Sequence, residues 1–177
     1  KSVRDIIKGI ISGFELSNDN SNPDKKISQY LKHTPPILLI DEIIELKPGI
    51  KSQTSLNLRK DSWFFKCHYP DYPVMPGTLL LEAMSQTMTL AVTSMDEFSN
   101  KWEGLTLLSG ITKVKFKKEA LPGLKLIITA KIDSFKRGTI NGNIKCETDG
   151  KLICSCVMTI VIPSAIKQLS NQIRRDK

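Results

Sequence analysis

The chain has 177 residues, of which 40% are hydrophobic and 25% charged, an apolar content that supports one packed domain and a length too short for two ordinary ones. It lacks both the run of about 18 apolar residues that a transmembrane helix needs and a signal-peptide core, so we expect no membrane span. The formal net charge is +8, but the basic residues are scattered and lack the interleaved aromatics or the motif of a nucleic-acid surface, which argues against a nucleic-acid partner.

The N-terminal part, residues 1–24, is expected to be an appendage with a short amphipathic helix over residues 2–14 and then a polar linker. Asp24 is suited to cap a second short helix at the start of the domain proper. We expect that domain to span residues 25–163, and residues 164–177 to form a basic C-terminal tail.

Two strands are predicted next, over residues 37–46 and 51–59, joined by a turn at Lys47-Pro48-Gly49. A helix without breakers follows over about residues 78–95, and after Glu82 its side chains are almost all uncharged. Such a helix is expected to be buried on most of its sides.

Four β-patterned stretches follow the helix, over residues 106–117, 124–135, 139–148 and 152–162. Short turn sequences separate them, and Asp149-Gly150 is the strongest hairpin signal among these. Two strands, one long apolar helix and four antiparallel strands predict an α+β fold in which the sheet wraps around the central helix.

Four cysteines are present, at positions Cys67, Cys146, Cys154 and Cys156. The C-x-C pair lies in a β-patterned stretch with no histidine nearby, and the spacing matches no zinc site. We therefore expect structural thiols and no bound metal.

The segment from Cys67 to Glu82 carries the clearest chemistry, because it places an imidazole, His68, just before a turn and a carboxyl, Glu82, inside an apolar helix. Three prolines exclude regular structure between His68 and Gly77, so the helix is expected to begin near Gly77. The free N–H groups and the positive dipole end of a helix suit a carbonyl oxygen that gains negative charge. A carboxyl among leucines is a candidate to stay protonated.

These residues resemble the (3R)-hydroxyacyl-acyl-carrier-protein dehydratases of fatty-acid synthesis, which have the hotdog fold. The family pattern H-F-P-x-x-P-V-M-P-G-x-L-x-x-E-A-x-x-Q is matched by residues 68–86, with Tyr69 in place of the Phe. The segments LKHTPPILLID (residues 31–41) and GITKVKFKKEALPG (residues 110–123) are similar to the family's L-P-H-R-Y-P-F-L-L-V-D and G-I-D-x-V-R-F-R-x-P-V-x-P-G. The resemblance covers roughly residues 25–163.

The resemblance implies elimination of water from a (3R)-3-hydroxyacyl thioester to give the trans-2-enoyl thioester, without a metal or redox cofactor. It implies that His68 is the base that removes the C2 proton and that Glu82 binds the leaving hydroxyl. It also implies that the Gly77 N–H polarises the thioester carbonyl. Four residues are expected to line the substrate pocket: Val74, Met75, Pro76 and Gln86. Gln86 lies one turn past Glu82, so it can also hold that carboxyl by a hydrogen bond.

Two details bear on the kind of enzyme. A Glu at position 82, where an Asp would mark the dehydratase/isomerase relative, indicates the plain dehydratase. After His33, however, Thr34 and Pro35 replace the Arg and Tyr of the family pattern. Any role that the Arg and Tyr side chains have in the family's pocket or interface is therefore in doubt for this chain.

The resemblance also implies partners. In the family the base and the carboxyl come from different subunits of a dimer, and dimers often assemble as trimers of dimers, so a homodimer is expected, with a hexamer as the larger alternative. The substrate arrives on an acyl carrier protein, which is acidic, and a basic rim would steer it.

The candidate docking surface is a set of lysines, Lys66, Lys113, Lys115 and Lys117. Alternation along a strand is expected to put the last three on one face, with Val114 and Phe116 pointing inward. The compartment expected from these features is the cytoplasm, or an organellar matrix if a presequence was removed.

Two other functions share the features above. A hotdog acyl thioesterase would have the same helix and apolar tunnel, although the V-M-P-G frame argues against it. A non-catalytic acyl-binding module is favoured by Thr34 and Pro35, whereas the presence of His68 and Glu82 favours an enzyme.

Overall fold

The computed structural model describes residues 27–96, 98, 105–167 and 171. In chain order these residues form two strands, a short 3-10 helix, one long helix and four further strands: β1 (Glu42–Lys47), β2 (Lys51–Asn57), the 3-10 helix (Trp63–Lys66), α1 (Gly77–Thr93), β3 (Leu107–Phe116), β4 (Lys125–Lys136), β5 (Thr139–Thr148) and β6 (Lys151–Val161). The predicted appendage over residues 1–24 lies outside the described residues, as does most of the predicted tail.

The described strands form one six-stranded sheet with the order β1-β2-β4-β5-β6-β3, and every neighbouring pair is antiparallel. Helix α1 packs mainly on β4, β2 and β5. The predicted α+β arrangement of an antiparallel sheet around one long helix is therefore confirmed. Within the described part of the chain, no helix has both the length and the apolar character to cross a membrane.

The β5–β6 hairpin has the turn that its sequence predicts. Asp149 and Gly150 have φ angles of 47° and 71°. Two consecutive positive φ angles give the turn a twist that matches the right-handed twist of the flanking strands, and Gly adopts such angles at little cost. The turn thus sets the first pairs of β5 and β6, Thr148 with Lys151 and Glu147 with Leu152, and a bulge next to them then pairs Cys146 with Cys154.

The central helix is buried along most of its length, as predicted. Every residue from Ala83 to Thr93 is buried, and Met84 and Met88 belong to the main core. Threonines of this stretch have partners inside the fold: the Thr87 hydroxyl lies 2.7 Å from that of Thr54, and the Thr93 hydroxyl donates to the Thr89 carbonyl at 3.0 Å. A helix with such packing on several sides needs no polar face.

Three predicted boundaries differ from the structure by two residues or more, and one of them is the end of β2, at Asn57 and not at residue 59. Strand β1 begins at Glu42 and not at residue 37, because the preceding segment is bound by a side chain of α1: the Leu39 N–H donates to Gln86 Oε1, and Gln86 Nε2 donates to the Ile37 carbonyl. Helix α1 ends at Thr93, two residues earlier than predicted.

Strand β3 differs most from its prediction. Its register against β6 shifts between Thr112 and Lys115, and Lys113 has a φ of 52°. This bulge inserts one residue and reverses the alternation of faces, so Lys113 does not share a face with Lys115. Phe116 lies on the helix-facing side of the sheet, as predicted, since it pairs with the buried Cys154 and contacts Gly77 of α1, but Val114 and Phe116 are 37% and 52% exposed and not buried. The cause is the position of β3 at the edge of the sheet, away from the strands that α1 covers.

Candidate active site

The loop that carries His68 is held by a hydrogen bond within the loop and by hydrogen bonds to the β3–β4 connection. Within the loop, the Val74 N–H donates to the His68 carbonyl at 3.1 Å. Toward the β3–β4 connection, the Met75 N–H donates to the Ala120 carbonyl at 2.9 Å, and the Tyr72 hydroxyl donates to Glu119 Oε2 at 2.8 Å. The three prolines of this segment prevent it from joining the sheet, so these contacts determine where the imidazole lies.

The ring of His68 is half-buried and oriented by the loop itself. Its Nδ1 lies 3.0 Å from the Val74 carbonyl oxygen, and the ring stacks on Tyr69 with a centroid distance of 4.2 Å. A carbonyl oxygen only accepts hydrogen bonds, so Nδ1 is the nitrogen that carries the hydrogen. In the neutral ring Nε2 is then bare and able to accept a proton.

Helix α1 begins at Gly77, directly after the prolines, as predicted. Among the residues that the structure describes, no side chain caps this end of the helix, so its first backbone N–H groups are available to a ligand. A Cβ at position 77 would come within 2.9 Å of the Phe116 ring. The glycine therefore allows Phe116 of β3 to approach the helix terminus, a contact that the sequence did not reveal.

Glu82 lies on the second turn of α1 with its side chain 30% exposed. Its Oε1 accepts a hydrogen bond from Gln86 Nε2 at 2.9 Å. Gln86 is itself buried and bound to the backbone of Ile37 and Leu39. The carboxyl is thus held by an amide that two backbone groups fix in place, and the hydrogen bond proposed from the i, i+4 spacing is present.

His33 is a neighbour of the site that sequence reasoning did not include among the site residues. Its Nε2 lies 3.5 Å from Glu82 Oε1. Its Nδ1 is buried and has no hydrogen-bond partner among the described residues. The signal that could have identified it is its place in the segment LKHTPPILLID, but the contact with Glu82 spans 49 residues and needs the fold to appear.

The other predicted site residues are distributed around this region. Val74 and Pro76 are half-buried, and Met75 is 3% exposed and part of the main core. An open groove of about 620 Å³ lies beside the helix terminus, and it is lined by Phe116, Lys117, Lys118, Glu119 and Leu121. The four predicted docking lysines are all exposed: Lys66, Lys113, Lys115 and Lys117.

His68 and Glu82 are not brought into contact within one chain. Each has its own set of partners, and no hydrogen bond or ion pair joins them in the described part of the molecule. Over the same residues, no three His, Cys, Asp or Glu side chains are grouped as metal ligands would be. The chemistry that one chain offers is therefore a bare imidazole nitrogen, a braced carboxyl and an open helix N-terminus.

Residues 31–157 match the sequence model of the FabA-like domain. The chain is 36% identical over 140 residues to 3-hydroxyacyl-acyl-carrier-protein dehydratase FabZ of Staphylococcus haemolyticus (strain JCSC1435), which covers 79% of this chain and 94% of that relative. Against FabZ of Staphylococcus aureus (strain JH9) the identity is 36% over 137 residues, or 77% and 92% of the two chains.

Solved structures with a similar fold are more distant in sequence. The dehydratase heterocomplex ApeI:P from Xenorhabdus doucetiae matches with a TM-score of 0.68 at 18% identity, over 82% of this chain and 97% of that one. An HP0420 homologue from Helicobacter felis matches with a TM-score of 0.61 at 15% identity, over 82% and 93%. The hotdog fold expected from the sequence is confirmed.

Proposed function

This chain belongs to the FabA-like family, and on that premise we propose that it dehydrates (3R)-3-hydroxyacyl-acyl-carrier-protein to the trans-2-enoyl form in fatty-acid biosynthesis. One observation carries the proposal beyond the relatives' names. The loop and helix that the family pattern marks carry a bare His68 Nε2, a braced Glu82 carboxyl and an open helix terminus at Gly77.

The base in this mechanism is His68. Because Nδ1–H is committed to the Val74 carbonyl, Nε2 is the atom that takes the proton from C2 of the substrate. The resulting imidazolium keeps its hydrogen bond to Val74, so proton transfer requires no rearrangement of the loop. Positioned general bases of this kind typically contribute a factor of about 10² to 10⁴ in rate.

The acid is Glu82. In its protonated form the carboxyl donates to the C3 hydroxyl as the C3–O bond breaks, and water leaves with that proton. The electron pair of the C2–H bond becomes the C2–C3 double bond. The Gln86 amide fixes the carboxyl plane during this step, because it donates to Oε1 and is held by two backbone groups.

The helix terminus at Gly77 supplies the third element. Removal of the C2 proton places negative charge on the thioester oxygen, and backbone N–H groups at a helix N-terminus stabilise such charge without reorganising. Loss of one donor of this type typically costs about a hundredfold or more in rate.

The site is proposed to be completed by a second copy of the chain. Strand β3 forms one edge of the sheet, and none of its residues is buried. Its exposed side chains include several large apolar ones, namely Leu107, Leu108, Val114 and Phe116. An exposed apolar edge strand is a pairing surface. Pairing there would bring the second chain to the Phe116–Gly77 contact, and the hexamer would be a further assembly of such dimers.

The carrier protein is proposed to dock on basic residues near the same end of α1. Lys117 and Lys118 line the groove beside Phe116, and Lys66 directly precedes the loop that bears His68. Acidic carrier surfaces would be attracted there, and the gain would appear in the association rate. The working compartment is then one that holds carrier-linked acyl chains, the cytoplasm or an organellar matrix.

One assay decides between the functions considered. The protein is incubated with a (3R)-3-hydroxyacyl-carrier-protein thioester, and the products are separated. Enoyl thioester with no free thiol supports dehydration, free carrier thiol indicates a thioesterase, and unchanged substrate indicates a non-catalytic acyl-binding module.

A further inference from the structure

The carboxyl of Glu82 has two different oxygens. Oε1 lies 2.9 Å from Gln86 Nε2 and 3.5 Å from His33 Nε2. Oε2 has no hydrogen-bond partner among the described residues. Since the side chain is 30% exposed, Oε2 is the oxygen left for a substrate or water.

The two nitrogens of His33 also differ. Nδ1 is buried and, within the described part of the chain, has no hydrogen-bond partner. A buried N–H without an acceptor is rare in folded proteins, so the hydrogen of the neutral ring belongs on Nε2. The contacts of Glu82 Oε1 support the same tautomer. Oε1 already accepts a hydrogen bond from Gln86, and an Nε2 without a hydrogen would place its lone pair against a lone pair of Oε1.

We propose that His33 is a positioning residue: its Nε2–H and the Gln86 amide both donate to Glu82 Oε1, so that the catalytic proton of Glu82 is carried by Oε2. The catalytic role of this contact rests on the proposed dehydration, whereas the contact itself does not depend on it. The distance of 3.5 Å exceeds that of an ordinary hydrogen bond, about 2.7–3.2 Å. Contacts of this kind often tighten when substrate binds.

The segment around His33 is built to hold this position. The carbonyl of Thr34 accepts hydrogen bonds from the N–H groups of Ile37 and Leu38, each at 3.0 Å, which closes a tight turn. The next residues of the segment are bound by Gln86. One buried amide thus anchors both the carboxyl and the segment that carries the imidazole.

The tautomer can be measured without any turnover. The chain has only two histidines, so a sample labelled with ¹⁵N in the imidazole rings gives signals from His33 and His68 alone, and His68→Ala assigns them. At about pH 8, where an ordinary imidazole is neutral, we expect His33 to carry its proton on Nε2 and His68 to carry it on Nδ1. A His33 protonated on Nδ1, or one exchanging freely between tautomers, would overturn the inference.

Kinetics of two matched variants test the role. The side-chain amide nitrogen of Gln reaches the position of Nε2, whereas that of Asn corresponds to Nδ1. We expect His33→Gln to keep most of the wild-type kcat. His33→Asn should lower kcat about tenfold or more while KM changes less than about twofold, since an interaction made in the transition state is lost. Wild-type kcat in His33→Asn, or an equal loss in both variants, would contradict a positioning role.

The two proposals fail in different ways. If the unaltered protein forms no enoyl product, dehydration is wrong and the role of Oε2 in it falls as well, whatever the tautomer. If the unaltered protein is active but His33→Asn is equally active, dehydration stands and only the role of His33 is wrong. Thermal unfolding of both variants shows whether a loss of rate comes from a loss of fold.

Discussion

The ring of Phe116 lies so close to Gly77 that a Cβ at position 77 would approach it to 2.9 Å. This contact joins the edge strand β3 to the N-terminus of α1. It makes the helix terminus, the element proposed to polarise the thioester, sensitive to the side chain on a neighbouring strand.

The first prediction concerns this contact. Gly77→Ala is expected to gain less than the roughly 1 kcal/mol by which Ala usually exceeds Gly in a helix, because the added methyl group must displace the exposed end of the Phe116 ring. In a chain that also carries Phe116→Ala the same substitution should be measurably more favourable. Urea unfolding of the four chains gives the coupling. Equal effects in the two backgrounds would show that the ring does not restrict position 77.

A second prediction concerns the edge of the sheet. Leu108 on β3 and Ile44 on β1 are both 46% exposed and lie on opposite edge strands. We expect Leu108→Lys to shift a dimer toward monomer in sedimentation at micromolar concentration, and the matched Ile44→Lys to leave it unchanged. A monomeric unaltered protein with full activity would refute the shared site.

The third prediction tests whether the catalytic pair is shared between chains. His68→Ala and Glu82→Gln are each expected to be inactive as pure proteins. If each site takes its base and its acid from different chains, random pairing of an equal mixture makes half of the dimers hybrid, each with one intact site, so about a quarter of wild-type activity should return. Failure of activity to return after subunit exchange, verified by differential labelling, would place both residues of a site on one chain.

The fourth prediction concerns carrier docking. Reversal of Lys115 and Lys117 to Glu should raise KM for carrier-linked substrate in a salt-sensitive way, while a small thioester analogue is nearly unaffected. The matched control reverses Lys131 and Lys136 on β4, which is separated from β3 by two strands of the sheet. If both substrates or both double variants respond alike, the carrier docks elsewhere.

The fifth prediction concerns the thiols. Burial raises the pKa of Cys146 and of Cys156 to about 12 and that of Cys154 to about 11. At pH 8 roughly a thousandth or less of each is thiolate, the reactive form. A thiol reagent should therefore modify only the exposed Cys67 in the folded protein and all four after unfolding. Fast labelling of a second cysteine in the native state would contradict this burial.

The features that sequence predicted well are local ones. The start of α1 at Gly77 follows from three prolines and a run without breakers, and the β5–β6 turn follows from Asp149-Gly150. Both depend on the conformational limits of a few adjacent residues. The hydrogen bond from Gln86 to Glu82 could be predicted for the same reason, since i, i+4 spacing places the two side chains next to each other on a helix.

The features that sequence missed depend on contacts between distant parts of the chain. The late start of β1 results from Gln86, which binds Leu39 and Ile37 across 47 and 49 residues. The exposure of Val114 and Phe116 follows from the strand order of the sheet, and period-two alternation carries no information on whether a strand lies at an edge. The contact of His33 with Glu82 has the same non-local origin.

The proposed dehydration is tested most directly by the turnover of a (3R)-3-hydroxyacyl-carrier-protein thioester by the unaltered protein, by His68→Ala and by Glu82→Gln, with enoyl product followed and folding verified for each. We expect enoyl product from the unaltered protein and a loss of at least about a hundredfold in each variant, because each removes one partner of the proton transfer. Either folded variant retaining near-wild-type turnover would contradict the assignment of base and acid, and no enoyl product from the unaltered protein would contradict the proposed function itself.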